Sequence, residues 1–241
     1  MKIYTFQPKS LINEIEQSGA VFVDFKKTNL YKHITEGNPF VFDAYQWMAT
    51  KLAEKTGIWI RELWGDKVNY PKDKDGDYID EKGKKVPPLP FWGWYLTDGK
   101  NDPPDPLNYA FDGGENRSFI DWNKNEDQTI LLTLEIPENL VLLSDGNAWY
   151  CALEGRPCYE YEDEITEQLK YEEYFRKINH IASIQDVKSK KEAYHSIWEE
   201  TVNTWDNILR LEGRRLHTFM GMPERKDIQA VFPIIRKEWI L

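Results

Sequence analysis

Apolar residues alternate with polar ones in some segments of the chain and recur every three or four positions in others. Alternation over residues 2–7 predicts a strand, and the apolar stripe of residues 10–18, which Gly19 ends, predicts an amphipathic helix. Helical periodicity returns over residues 42–56. The other predicted strands cover residues 20–25, 91–97, 129–137, 140–144, 228–234 and the last four positions, and the other predicted helices cover 146–155, 159–184 and 187–211.

The order of these elements predicts the fold class. Strands lie near both ends of the chain and enclose a partly helical middle, which indicates an α+β fold, and we expect a single domain over all 241 residues. The continuous apolar character of residues 129–137 and 140–144 predicts that they belong to a buried central β-sheet. Residues 66–90 and 98–128 are rich in polar residues, Gly and Pro and are predicted as loop insertions, and residues 159–211 form a helical segment.

Composition narrows the class of protein. A hydrophobic fraction of 41% with 30% charged residues is typical of a globular protein, and a net charge of −10 argues against a generally basic nucleic-acid-binding surface. The two cysteines, Cys151 and Cys158, are too few for a disulfide framework. The first ten residues lack the apolar core of a signal peptide, and no segment reaches the ~18 apolar residues of a membrane span. We therefore expect a cytoplasmic protein with no membrane partner.

Familiar catalytic and metal-binding motifs are missing from the sequence. It contains no HExxH, GxSxG, P-loop or strand-linked GxGxxG pattern. The acidic run of residues 73–80 departs from the EF-hand spacing, which favours a solvated hairpin over a calcium site. No metal is expected.

Three places on predicted strands have side chains that can contact a ligand. Alternation along FWGWY puts Trp92 and Trp94 on one face and Gly93 and Tyr95 on the other, so the indoles either stack a planar ligand or pack in the core. Asp145 follows a strand and either caps the next helix or binds a ligand. Gln229, which begins the last long strand, is either exposed at an edge or part of a site.

Four segments together resemble a bacterial family of unknown function. They are the opening IYTFQP, the strand FWGWY, the block LLTLEIPENLVLLSDGNAWYCALEG and the closing IQA. Members of that family share a Tyr-Thr-x-Gln opening, a Trp-x-Trp-Tyr strand, a VLLSD block followed by Trp, and a closing Ile-Gln-Ala. The resemblance covers residues 2–235 and implies membership, while the family itself supplies no function.

The order of elements also resembles the ADP-ribosyltransferase fold, a split central β-sheet flanked by helices. In that fold an opening strand holds the NAD ribose, a second strand carries an aromatic residue, and a late apolar strand begins with a catalytic Glu or Gln. Here Thr5 stands where better-known members have His or Arg, and Gln229 stands where they usually have Glu. The aromatic strand is FWGWY.

This second resemblance implies NAD as a substrate and a set of residues that contact it. The implied NAD-binding residues are Thr5, Gln7, Trp92, Trp94, Trp149 and Arg117, and the implied catalytic residues are Gln229, Asp145 and Tyr95. Arg117 would meet the pyrophosphate bidentately. Because Gln229 has no charge, another acid must stabilise the cationic transition state; Asp145 is the first choice, and Glu224 and Asp227 are the alternatives.

The function that the resemblance implies is mono-ADP-ribosylation by an intracellular bacterial toxin or effector, of the toxin–antitoxin or phage-defence type. The acceptor would be a nucleic acid or a protein, and an antitoxin or another protein would be the partner. The first alternative is a catalytically silent ligand-binding or protein-interaction module on the same scaffold, which fits the uncharged Thr5 and Gln229. A nuclease, which needs a cluster of carboxylates, is the second.

Overall fold

The computed structural model describes residues 1–23, 39–59, 72–76, 79, 83–105, 129–161, 163–211, 215–216 and 227–241. The chain groups into two compact units, Met1–Leu143 with Lys226–Leu241, and Ser144–Arg225. The strands are β1 Lys2–Pro8, β2 Ala20–Val21, β3 Phe91–Leu96, β4 Thr129–Glu135, β5 Leu142–Asp145, β6 Glu160–Tyr161, β7 Arg215–Leu216, β8 Ile228–Phe232 and β9 Ile235–Arg236. The α-helices are α1 Ser10–Ser18, α2 Pro39–Thr56, α3 Trp149–Leu153, α4 Glu164–Ser183 and α5 Val187–Thr204, and 3-10 turns cover Glu138–Leu140, Trp205–Leu209 and Lys237–Trp239.

A five-stranded sheet with the order β4-β1-β3-β8-β5 organises the fold, and it confirms a mixed α and β architecture. Strand β1 is antiparallel to β3 and to β4, and β3 is antiparallel to β8. The segments 129–137 and 140–144 supply β4 and β5 of this sheet, with Leu132, Leu134 and Ser144 buried, and the two strands stand first and last in the strand order. A continuous apolar run reports burial rather than position. The β4 edge is covered by the end of the chain, where Leu241 N–H donates to Thr133 O (3.0 Å).

The core of the first unit lies on one face of the sheet. Its buried side chains include Ile3, Phe91, Leu132, Leu134, Ala230 and Phe232 from the sheet and Ile15 from α1. Helix α1 ends as predicted at Gly19, whose left-handed φ of 78° lets its N–H bond to Ile15 O at 2.8 Å. The chain then forms β2, which pairs with β9.

The last residues of the chain differ from the prediction of a strand. Lys237–Trp239 is a 3-10 turn, and Ile240 makes one isolated bridge to Leu134. Trp239 is buried and its ring lies 5.7 Å from the Arg236 guanidinium. The 3-10 turn breaks the alternation of a strand, in which successive side chains point to opposite faces, and Trp239 is buried within it.

Helix α2 begins three residues before the predicted start, since Pro39 is well suited to the first turn of a helix. Its buried residues recur at helical spacing and are Val41, Ala44, Met48, Ala49, Leu52 and Ala53. Near its end, Lys55 Nζ donates to Val141 O at 2.5 Å.

In the second unit, helices α4 and α5 pack against each other. Asp163 caps α4 by accepting from Thr166 N–H (2.9 Å), and Asp186 caps α5 by accepting from Ser189 N–H (2.7 Å). The α4 cap explains why that helix begins later than the predicted residue 159; the preceding residues form β6, which pairs with β7. Among the described residues, none of the helices has the length and apolar character that crossing a membrane requires.

Candidate functional site

Three neighbouring strands carry the groups that the sequence singled out in the first unit. Tyr4 on β1 lies opposite Trp94 on β3, and Trp94 lies opposite Gln229 on β8. Residues directly opposite each other in antiparallel strands point to the same face of a sheet. Tyr4, Trp94 and Gln229 therefore form a cross-strand row on one face, whereas Thr5, the next residue of β1, points to the opposite face with Gly93.

Gln229 presents a buried acceptor in this row. Its carboxamide oxygen Oε1 is inaccessible to solvent and accepts no hydrogen bond from the residues that the structure describes. A buried polar atom without a partner costs roughly 1–3 kcal/mol.

A β-bulge interrupts the β3–β8 register next to the row. Trp94 faces Gln229, but the next matched pair is Leu96 with Ile228, so Tyr95 is the extra residue on β3. Bulges re-aim side chains and are common beside active sites. The Asn101 side chain bridges β1 and β3 beside the bulge, because its Nδ2 donates to Tyr95 O at 2.5 Å and to Lys2 O at 3.1 Å.

A tight turn after β3 holds a buried carboxylate near the row. Asp98 and Gly99 both have positive φ, 50° and 77°, and Thr97 and Lys100 exchange two backbone hydrogen bonds across them. This is the type I′ geometry that an Asp-Gly pair favours. Asp227, which immediately precedes β8 and is 5% exposed, accepts from Asp98 N–H at 2.8 Å.

The two faces of β3 differ as the FWGWY pattern predicts. The Trp92 ring meets Tyr45 of α2 edge-on, with centroids 5.7 Å apart. Gly93 lies on the other face, where an added Cβ would stand 2.7 Å from Ile3 Cγ2 and from Tyr4 O. The glycine is therefore needed for the close approach of β1 and β3, while Trp94 is only partly buried.

Thr5 and Gln7 bind each other and the sheet. Thr5 is fully buried, and its hydroxyl donates to Trp92 O (2.6 Å) and accepts from Gln7 Nε2 (2.8 Å). Thr5 thus joins β1 to β3 through its side chain. Contact of either residue with NAD stays a prediction.

Two other predicted site residues belong to the second unit. The Asp145 Oδ1 accepts from the backbone N–H groups of Asn147 (2.9 Å) and Ala148 (3.0 Å) and so fixes the turn that follows β5. It does not cap α3, which begins at Trp149 after Ala148 and has no side-chain cap. Trp149 is 4% exposed, on α3. A catalytic role for Asp145 and contact of Trp149 with NAD stay predictions. Arg117 and Glu224 lie outside the described residues.

Sequence reasoning missed Tyr4 and Asn101 as parts of this region. Tyr4 is 1% exposed, and its hydroxyl donates to Asn101 O at 3.4 Å. The Tyr4 hydroxyl also raises the pKa of Lys2, whose ammonium lies 5.1 Å from the Tyr4 ring centroid. The Asp-Gly turn two residues before Asn101 was the available signal, because it predicts that β3 ends there.

The comparisons with known proteins agree with the first resemblance. No curated protein matches the chain, and no solved structure matches it. One family model, described as "Domain of unknown function (DUF3841)", matches residues 60–241. The match includes β3, β4 and β8, whereas β1 precedes it. The predicted membership in a family of unknown function is thereby confirmed, and the chain belongs to the DUF3841 family.

Proposed function

We propose that this protein is an NAD-dependent mono-ADP-ribosyltransferase, with the ADP-ribosyltransferase-like arrangement of a split sheet and flanking helices. The cross-strand row Tyr4–Trp94–Gln229 is the observation that carries this proposal. The opening strand, the aromatic strand and the strand of Gln229, which the resemblance singles out, are neighbours in the order β1-β3-β8, although long stretches of sequence separate them. This arrangement supports the proposal.

The reaction breaks the bond between nicotinamide and the ribose of NAD, and an oxocarbenium-like cation develops as nicotinamide leaves. The acceptor's nucleophile then forms a bond to the same ribose carbon and loses its proton to a base. An enzyme accelerates this step by holding NAD in a strained orientation and by stabilising the cation. A group that hydrogen-bonds the ribose hydroxyls serves the first of these tasks.

Gln229 suits that role because its Oε1 accepts no hydrogen bond from the described residues and can take one from a ribose hydroxyl once the side chains that cover it move aside for NAD. Trp94, in register with it, supplies an aromatic face for the nicotinamide or the adenine, and Tyr95 on the bulge is placed beside it in the chain. Asp227 is the described carboxylate closest in sequence to Gln229, and it begins the same segment. It therefore joins Asp145 as a candidate for the missing negative charge.

The proposal extends to the setting of the enzyme. We assign it to the cytoplasm, as a toxin or effector of a toxin–antitoxin or phage-defence system, with a nucleic acid or a protein as the acceptor. An antitoxin or another protein partner would control it. Localised groups on the first unit, rather than the net charge of −10, would then have to select the acceptor.

A silent binding module is the second candidate, and one observation favours it specifically. Thr5 is uncharged, whereas better-known transferases have His or Arg at this position of the opening strand. Its hydroxyl is also already bonded to Trp92 O and Gln7 Nε2. Such a module would bind NAD or a related planar ligand in the row and release no nicotinamide.

Turnover distinguishes the two candidates. The protein is incubated with NAD labelled in the adenine ring and a cell lysate, and nicotinamide release and label transfer are followed together. Gln229→Ala is compared with Gln46→Ala, which removes an exposed glutamine side chain from α2. Release and labelling that Gln229→Ala abolishes and Gln46→Ala leaves intact support the transferase. NAD binding without release supports the silent module. Neither binding nor release overturns the transferase and leaves a silent module that takes another ligand or a protein partner.

A further inference from the structure

The two cysteines of the chain lie together inside the second unit. Cys151 on α3 is 1% exposed, Cys158 is 0% exposed, and both are thiols. Each thiol perturbs the pKa of the other, and the Tyr171 hydroxyl acts on Cys151 as well, so the three groups are neighbours. The backbone turns back between the two cysteines, because Arg156 N–H donates to Cys151 O at 2.8 Å.

Side chains from three elements hold that intervening segment in place. The Trp205 indole N–H donates to Arg156 O (2.8 Å), the Tyr171 hydroxyl donates to Pro157 O (2.7 Å), and Asn207 Nδ2 donates to Cys158 O (2.9 Å). Cys158 N–H donates to Thr204 Oγ1 at 2.8 Å. Four backbone groups in succession are thus satisfied by side chains, so the position of Cys158 is fixed from both sides.

The environment of the pair makes its two sulfur atoms different. The hydrogen bond from Cys158 and the charge of Arg156 lower the pKa of Cys151, although burial acts in the opposite direction. The same hydrogen bond and burial raise the pKa of Cys158 well above its ordinary value. Cys151 therefore ionises more readily than Cys158.

We propose that Cys151 and Cys158 are a modification site at which a hydroperoxide forms an intramolecular disulfide. The Cys151 thiolate attacks one peroxide oxygen, the O–O bond breaks, and Cys151 becomes a sulfenic acid as hydroxide leaves and takes up a proton. The Cys158 sulfur then attacks the Cys151 sulfur, the S–O bond breaks, and the hydroxyl group leaves as water with the Cys158 proton. Two thiols are oxidised to one disulfide, and one hydrogen peroxide is reduced to two waters.

Burial determines the product of this oxidation. An exposed sulfenic acid meets further peroxide and proceeds to the irreversible sulfinic acid. Here the second thiol is a buried neighbour of the first, whereas further peroxide must enter a closed interior. The disulfide is thus the expected end product, and a thiol reductant reverses it. Because the thiols are reached only through a local opening of the second unit, the oxidation is slower than that of an exposed thiol.

The test uses the whole protein and hydrogen peroxide. Native protein is treated with peroxide, unreacted thiols are alkylated in denaturant, and the intact mass and the peptides are determined. We expect loss of both alkylatable thiols, a mass lower by two hydrogen atoms, a peptide pair joined through Cys151 and Cys158, and full reversal by dithiothreitol. The wild-type protein alone supplies this result, so it does not depend on the folding of any variant.

Two variants test the assignment of the first sulfur. In Cys158→Ser, Cys151 should react with a sulfenic-acid probe at least ~10-fold faster than Cys158 does in Cys151→Ser, because the thiolate is the nucleophile. Sulfinic acid at either cysteine as the main native product, or joining of two chains instead of a bridge within one, would overturn the proposal. Retention of both thiols under peroxide that fully oxidises the denatured protein would overturn it as well. None of these outcomes depends on NAD or on transferase activity.

Discussion

Replacing Gly93 with alanine tests the close packing of β1 against β3. The added Cβ would lie 2.7 Å from Ile3 Cγ2 and 2.7 Å from Tyr4 O, and 3.4 Å from a ring carbon of Phe232. Carbon and oxygen atoms do not approach to 2.7 Å without repulsion. The Ile3 side chain can rotate in part, but Tyr4 O belongs to the backbone of a strand that β4 fixes along its whole length.

The expected cost follows from these contacts. Overpacking a well-packed core typically costs about 1–3 kcal/mol, and contact with an immobile backbone atom puts Gly93→Ala near the upper end, at about 3 kcal/mol. Alanine also reduces the entropy of the unfolded chain, which returns about 0.5–1 kcal/mol. We therefore expect the free energy of unfolding to fall by about 2–2.5 kcal/mol, which corresponds to a fall in Tm of roughly 4–10 °C.

Guanidinium unfolding followed by tryptophan fluorescence measures this change, and Gly57→Ala is the matched control. Gly57 ends α2 with a φ of 71°, and an added Cβ there meets nothing within 4 Å. Its substitution carries only the strain of the left-handed conformation, about 1 kcal/mol. The reasoning is refuted if Gly93→Ala proves no more destabilising than Gly57→Ala, since the steric term would then be absent.

Three further predictions follow from other contacts. Thr5→Val removes the hydroxyl that bonds to the β3 backbone and should lower the free energy of unfolding by about 1–3 kcal/mol. Thr50→Val, at a partly exposed position within α2, should change it by less than about 0.5 kcal/mol. Equal effects of the two substitutions in urea unfolding would contradict this. Gln229→Glu restores the acid usual in transferases and should raise nicotinamide release roughly 100-fold, while Gln46→Glu leaves it unchanged; no gain would count against the role of Gln229. Burial raises the pKa of Tyr159 to about 12, so the folded protein holds this proton more tightly than the unfolded chain does. The contribution of Tyr159 to stability is therefore fully present below about pH 10 and is lost as the pH rises toward about 12. Tm measured between these pH values should fall less in Tyr159→Phe than in the parent protein.

Local sequence signals predicted most elements of the fold, but they did not predict how the sheet is ordered. The Gly19 helix end and the alternation along FWGWY depend on a few neighbouring residues, and both occur as expected. The positions of β4 and β5 depend on pairing between distant segments. Their apolar sequences reflect burial. At the outer side of β4, Leu241 N–H donates to Thr133 O, a long-range contact that no local pattern encodes.

In the candidate site too, the sequence identified individual residues but not the contacts that depend on strand pairing. The resemblance named Trp94 and Gln229, and the β3–β8 register brings them opposite each other. Tyr4 enters the row only through the β1–β3 register, and the bulge at Tyr95 depends on a mismatch between two strands. The engagement of Thr5 with Trp92 O likewise arises from tertiary contact. A residue type can suggest a chemical role, whereas its hydrogen-bond partners depend on which strand lies beside it.

Calorimetric titration with NAD shows whether the cross-strand row binds this dinucleotide. We expect measurable binding by the wild-type protein. Removing the stacking ring in Trp94→Ala should weaken it by about 1–3 kcal/mol, or roughly 5–150-fold in Kd, while Trp47→Ala on α2 leaves it unchanged. Absence of binding to the wild-type protein, or equal affinity of the parent and Trp94→Ala, would contradict this expectation.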